Sequence, residues 1–213
     1  MKTVFCYGDS NTWGFDPHTL GRYDHKTRWP MILRRLLNEG RDPEDPAWWV
    51  VEEGLNGRTS CREDPVEGDK NGLRQLLPIL ESHRPVDVAA VMLGTNDLKP
   101  RFSPLPYDIA QGAARVAQAI RDSRMGPGDS SPQVILICPP STIESPVFKH
   151  IFGDSTELSK KLPALYRRLA EEYGVHYLEA GKFVTSSTAD GIHLDPEGHL
   201  KLAQAVAALI KTL

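Results

Sequence analysis

Cysteine is scarce in this chain, and its three copies, Cys6, Cys61 and Cys138, lie far apart with no CxxC pair among them. An odd number at such spacing excludes a disulfide framework and offers no structural zinc site, so free thiols in the cytoplasm are the expectation. No apolar run approaches the ~20 residues that a membrane helix needs, and no membrane partner is expected. The apolar stretch after Met1 is shorter than the roughly 7–15 residues at the heart of an export signal, so nothing there directs export. An excess of one charge is lacking too. A net charge of −3 draws neither nucleic acid nor an anionic lipid surface. Internal repeats and low-complexity tracts are absent. What remains is 213 residues, 40% hydrophobic and 25% charged, which reads as one globular domain over residues 1–213 with a substantial core.

Short apolar runs at residues 3–7, 48–51, 86–93, 134–138 and 175–178 read as strands, rich in Val, Ile or aromatic residues and several bounded by Gly or Pro. Most are continuous rather than alternating, which implies cover on both faces. Between them lie helical patterns. Ile109, Ala113, Val116, Ala117 and Ile120 share one helix face, as do Leu158, Leu162, Leu165 and Leu169, where Pro163 marks a kink or a start. Asp195-Pro196-Glu197 announces a last helix that buries Leu202, Val206, Leu209 and Ile210. The order predicts an α/β fold: a flavodoxin-like three-layer sandwich, with a five-stranded parallel sheet and helices on both faces. In such sheets ligands bind beyond the carboxyl ends of the strands.

That edge is where the chemistry gathers. The first strand runs straight into Gly8-Asp9-Ser10-Asn11, which exposes a serine hydroxyl there. Two more copies of Gly-Asp-Ser show how weak the tripeptide is by itself. Gly128-Asp129-Ser130 precedes a strand and so lies at the wrong edge. Gly153-Asp154-Ser155 is followed by Glu157, and Asp154 with Glu157 reads as a capping pair. The second strand leads to Asn56-Gly57-Arg58, and the third to Gly94-Thr95-Asn96-Asp97. Gly57 and Asn96 each offer an N–H donor beside Ser10, as acyl transfer requires for the oxygen that becomes negative. Taken singly, each also reads as ordinary turn chemistry. Near the C-terminus, Asp190-Gly191-Ile192-His193 sets a carboxylate where it can hold Nδ1 and leave Nε2 outward, the tautomer of a general base. His193 and His199 have no further ligand cluster, and no metal is expected.

Together these blocks resemble the SGNH, or GDSL-type, hydrolase superfamily: Ser10, Gly57, Asn96 and His193 match its four blocks, with Asp190 in its Asp-x-x-His arrangement. Further segments, among them Thr12-Trp13-Gly14, Thr27-Arg28-Trp29, Glu52-Glu53-Gly54-Leu55 and Met92-Leu93, are similar to its bacterial arylesterase and acyltransferase branch, over essentially the whole chain. Asn11 stands where leucine gives the GDSL pattern its last letter, a departure that leaves the chemistry intact. Gly57 stands where some of the acyltransferases carry alanine, which weakens any carry-over of acyl transfer in water. The resemblance implies a serine esterase for small, short-acyl or aryl esters, with acyl transfer as a side activity. Ser10 would be the nucleophile, His193 the base and Asp190 its orienter, with Ser10, Gly57 and Asn96 forming the oxyanion hole. It further implies no cofactor and a homo-oligomer. Trp13, Phe15, Phe148, Ile151 and Phe152 are candidates for the substrate walls, the last three in a loop over residues 139–153. A rival reading makes Asp9 the nucleophile of a haloacid-dehalogenase-like phosphatase, but Asn11 replaces its second aspartate and no later acidic pair would hold magnesium. A non-catalytic binding module would leave the four blocks a coincidence.

Overall fold

Five parallel strands carry the computed structural model, which describes residues 1–213: β1 (Lys2–Gly8), β2 (Trp48–Gly54), β3 (Val88–Met92), β4 (Gln133–Cys138) and β5 (His176–Glu179). They form one sheet in the order β2-β1-β3-β4-β5, the flavodoxin-like winding. Eight helices follow the chain. The first four are α1 (Ser10–Trp13), α2 (Trp29–Leu37), α3 (Gly72–Ser82) and α4 (Pro106–Asp122). The others are α5 (Lys149–Phe152), α6 (Ser155–Ser159), α7 (Leu162–Glu172) and α8 (Pro196–Ile210).

Successive strand side chains point to opposite faces, and both faces are covered. Phe5, Tyr7, Ala89, Val91, Val134 and Leu136 pack against α3, α4 and α7. Val4, Cys6, Val88, Ala90, Ile135 and Ile137 pack against α2 and α8. This double cover is why the strands read as continuous apolar runs. Each fully buried aliphatic side chain in them contributes roughly 1.5–3 kcal/mol. The predicted stripe of α4, from Ile109 to Ile120, is buried throughout.

The expected break at Pro163 is present, but two expected helix caps are not. The second pattern splits: α6 holds Leu158, and α7 begins at Leu162 with Pro163 in its first turn. Asp154 precedes α6 but makes no side-chain cap, because Glu157 is drawn to Lys160 at 2.6 Å and Asp154 faces Lys149 at 3.7 Å. The capping pair is therefore not formed. Asp195 likewise precedes α8 without capping it; its carboxylate accepts from Ser187 Oγ at 2.8 Å instead.

The register sets the ends of three strands level. Gly8 of β1 stands beside Gly54 of β2 and Met92 of β3. The turns that follow these strands therefore share one edge, at the point where the winding reverses on either side of β1.

Candidate active site

Ser10 opens α1, a single turn directly after β1. Asp9 caps that turn, its Oδ1 accepting the Asn11 N–H at 3.0 Å, and Gly14 closes it in the left-handed conformation. The turn sits on the end of β2, where a Cβ on Gly54 would come within 2.0 Å of the Trp13 nitrogen. Only glycine admits so close an approach.

The Ser10 hydroxyl meets His193 Nε2 at 2.8 Å. On the far side of the ring, His193 Nδ1 meets Asp190 Oδ2 at 2.5 Å. A carboxylate can only accept, so Nδ1 carries the proton and Nε2 is left as acceptor for the serine. The second oxygen, Asp190 Oδ1, accepts the N–H groups of Ile192 at 2.9 Å and His193 at 3.0 Å. Burial would raise the Asp190 carboxyl, but the His193 ring and these two amides outweigh it and hold the group below the usual carboxylate range. Phe15 lies over the imidazole, ring centres 4.2 Å apart.

The two loops that bring Gly57 and Asn96 to this edge are tied together. Asn96 Nδ2 donates to the Arg58 carbonyl at 3.1 Å, which leaves its second N–H free. The Ser60 N–H and hydroxyl donate to Asp97 at 2.9 and 2.6 Å. Arg58 itself reaches back to the carbonyls of Gly8 at 2.8 Å and Glu53 at 2.5 Å, over the Tyr7 ring. The turn carrying Gly57 is thus fastened to the ends of β1, β2 and β3 together.

Ser10, Gly57, Asn96 and His193 line one cavity of about 190 Å³. Phe15, Phe148, Ile151 and Phe152, the candidates for the substrate walls, line it together with Ile192. Trp13 does not line it. The α1 turn carries that ring away toward the guanidinium of Arg22, which stacks on it at 4.9 Å. Asp9 is not in the cavity either; it is buried, and burial pushes its carboxyl up to about 6, so the phosphatase reading has no exposed nucleophile. The sequence reading missed Glu67 and Lys99, which also line the cavity. Lys99 Nζ meets Glu67 Oε1 at 2.5 Å and Asp64 at 3.8 Å. A larger cavity of about 350 Å³ lies beyond the covering loop and reaches this arrangement only through Asp190, Ile192, Phe148 and Phe152. Neither Ser10 nor His193 opens onto it.

A doubly wound sheet that presents a serine–histidine–aspartate chain at its switch point defines a serine hydrolase. The model of the GDSL-like lipase/acylhydrolase family matches residues 6–201, and the chain belongs to that family and with it to the carboxylic ester hydrolases. A carbohydrate acetylesterase from Sinorhizobium meliloti superposes with a TM-score of 0.91 at 34% identity, covering 100% of this chain and 99% of that one. The M. smegmatis aryl esterase gives 0.91 at 32% identity, with 100% of each chain covered. An acetylxylan esterase from Xylanibacter ruminicola is 24% identical over 98% of this chain, which spans only 43% of that protein's length. No helix is long and apolar enough to cross a membrane.

Proposed function

We propose that the protein cleaves small carboxylic esters, acetyl esters foremost, through an acyl-Ser10 intermediate. The observation that carries this is the unbroken chain Ser10–His193–Asp190, opening onto a small apolar cavity that Gly57 and Asn96 also line. The acetylesterase and aryl esterase relatives support the substrate class.

On this reading His193 Nε2 takes the hydroxyl proton as Ser10 Oγ attacks the carbonyl carbon. Asp190, already ionised, stabilises the imidazolium that results. The Ser10 N–H heads α1 and has no helical partner. With the Gly57 N–H and the free Asn96 amide proton it would receive the oxyanion. The imidazolium then returns its proton to the leaving alcohol. Water, activated by the same histidine, frees the serine. An alcohol entering in place of water would carry the acyl group off as a new ester, which is the transfer branch of the same cycle.

The test is hydrolysis of p-nitrophenyl acetate by Ser10→Ala beside Ser130→Ala and Ser155→Ala. Ser130 is exposed ahead of β4, and Ser155 Oγ bonds Thr142 Oγ1 at 3.1 Å rather than a histidine. Loss confined to Ser10→Ala supports the reading. Equal loss in Ser155→Ala, or full activity in Ser10→Ala, overturns it.

A further inference from the structure

Asn11 follows the nucleophile directly, and its side chain crosses to the loop that carries the base. Its Nδ2 donates to the Ile192 carbonyl at 3.3 Å, and its Oδ1 accepts the Leu194 N–H at 3.1 Å. One amide thus grips the backbone on both sides of His193. The leucine of a GDSL motif offers neither a donor nor an acceptor.

The main-chain groups around His193 can be accounted for completely. The N–H groups of Ile192 and His193 go to Asp190 Oδ1. The His193 carbonyl accepts the Ser187 N–H at 2.7 Å. The Ile192 carbonyl also takes a longer contact from Ser186 Oγ, at 3.4 Å. Those partners lie within the same loop, which is held to the segment after β4 by the Gly191 carbonyl accepting the Ile143 N–H at 2.9 Å and by Ser186 Oγ donating to the Ser141 carbonyl at 3.0 Å; none of these ties reaches the nucleophile turn. Asn11 alone among the main-chain partners comes from that turn. Its own N–H is held by Asp9, so Ser10 sits between two anchored neighbours. Asn11, Ile192 and Leu194 are all buried, and no water would replace a lost bond cheaply.

We propose that Asn11 is a positioning residue for the reaction, setting the distance between the Ser10 hydroxyl and His193 Nε2 by clamping the base loop to the nucleophile turn. This rests on the acyl-Ser10 reading above. Its physical warrant is the steepness of catalysis in geometry: a shift of about 1 Å between reacting groups costs on the order of 10²-fold in rate. Without the clamp, the one hydrogen bond directly joining the nucleophile turn to the base loop would be Ser10–His193 itself, and the buried Leu194 N–H would lack its acceptor.

Two variants test the proposal on the full-length protein: Asn11→Leu, which fills similar space without hydrogen bonds, and Asn11→Asp, which keeps the shape but has no donor for the Ile192 carbonyl. Each should lower kcat on p-nitrophenyl acetate by roughly ten- to a hundredfold while KM stays within about threefold. The rate at which an organophosphate labels Ser10 should fall in parallel, since it needs the same base. Folded variants with kcat and labelling rates near wild type would overturn the clamp. Should Asn11→Leu fail to fold, the isosteric Asn11→Asp decides alone by the same two rates. Wild-type protein inert to the organophosphate would instead sink the acyl-serine reading, and so the two failures are distinguishable.

Discussion

The Oε2 atom of Glu67 stands 2.3 Å from the point that a Cβ on Gly57 would occupy. That carboxylate is not free to swing aside, because its Oε1 is held by Lys99 at 2.5 Å and by Arg101 at 2.9 Å. Gly57 also has φ +80, a conformation that an L side chain adopts only with strain. Gly57→Ala should lower kcat about tenfold or more by displacing the amide that the proposed mechanism assigns to the oxyanion. Adding Glu67→Ala should recover part of the loss, since it removes the clash but not the backbone strain. A double-mutant cycle on kcat measures the coupling. Strict additivity of the two changes would show that Glu67 does not set the residue at position 57.

Asn96 has one amide proton committed to the Arg58 carbonyl and one left for the cavity. Asn96→Ala should lower kcat by roughly 10²–10³-fold with little change in KM, the signature of a donor used only in the transition state. Steady-state kinetics with p-nitrophenyl acetate decides it. An unchanged kcat would reduce Asn96 to a tie between two loops.

Acid should switch the reaction off through one proton. The Asp190 carboxyl is held below its ordinary range by His193 and two backbone amides, against the opposing effect of burial, so it stays ionised as the pH falls, whereas an imidazolium cannot serve as base. The logarithm of kcat/KM should then fall with unit slope on the acid side. A limb of slope two would mean that protonation of a second group, Asp190 or Asp9, also abolishes activity.

The strands and the stripes of α4 and α8 were legible because a sheet covered on both faces and a half-buried helix impose periods that the side chains must obey. Three of the site blocks were legible because each closely follows a strand, so local order fixed the edge on which it stands, and the fourth, Asp190 to His193, was legible from its internal spacing just ahead of α8. The single turns α1 and α5 escaped, and so did two longer helices. The start of α2 at Arg28 lacks a side-chain cap, and α3 carries Pro78 within it, where proline normally breaks a helix. Glu67 and Lys99 could not be placed because their meeting depends on a polar loop folding over Gly57. A lone lysine reads as solvated, whereas Lys99 is buried in an ion-pair cluster with Asp64 and Glu67. Trp13 was misplaced because nearness in sequence to Ser10 says nothing of which way a single helical turn throws its ring.

His199 makes a stability prediction. Burial pushes its imidazole down from 6.5 to about 3, with the charges of His193 and Arg28 adding to the effect and Asp195 opposing it. The folded chain keeps the ring neutral where the unfolded chain protonates it, so stability is lost as pH falls below the unfolded value. Between pH 8 and pH 5 the loss is about 2 kcal/mol. Asp9 works in the opposite sense: its folded value is raised from 3.8 to about 6, so stability is lost as pH rises through that interval. Wild-type protein should therefore show a shallow slope. His199→Asn, which keeps an acceptor for the Trp29 N–H that Nδ1 now takes at 3.3 Å, should gain about 2 kcal/mol relative to wild type on going from pH 8 to pH 5. Urea denaturation at the two pH values measures it. A stability difference equal at both would mean that His199 titrates normally in the fold.

Short acyl chains should be strongly preferred. The cavity beside Ser10 holds about 190 Å³, and Phe148, Ile151 and Phe152 from the segment between β4 and α6 supply much of its apolar wall. Phe148 stands 6.5 Å from Phe15 and 6.0 Å from His193, ring centre to ring centre, so it shortens the pocket close to the reacting atoms. Each methylene that finds no room forfeits roughly 0.8 kcal/mol of burial, about a fourfold loss in kcat/KM per carbon once the pocket is full. Phe148→Ala should move that break to longer esters while acetyl hydrolysis persists, because Phe148 is only partly buried and packs at the margin of the core. Phe152 is different: it is 7% exposed and belongs to the core itself, so Phe152→Ala should also cost roughly 3–5 kcal/mol of stability. A series of p-nitrophenyl esters from acetyl to decanoyl gives the profile. Wild-type protein that cleaves the two ends of the series equally well would remove the closed pocket from the account. A Phe148→Ala profile identical to wild type would place the limit elsewhere on the wall, with Ile151 or Ile192 as the next residues to shorten.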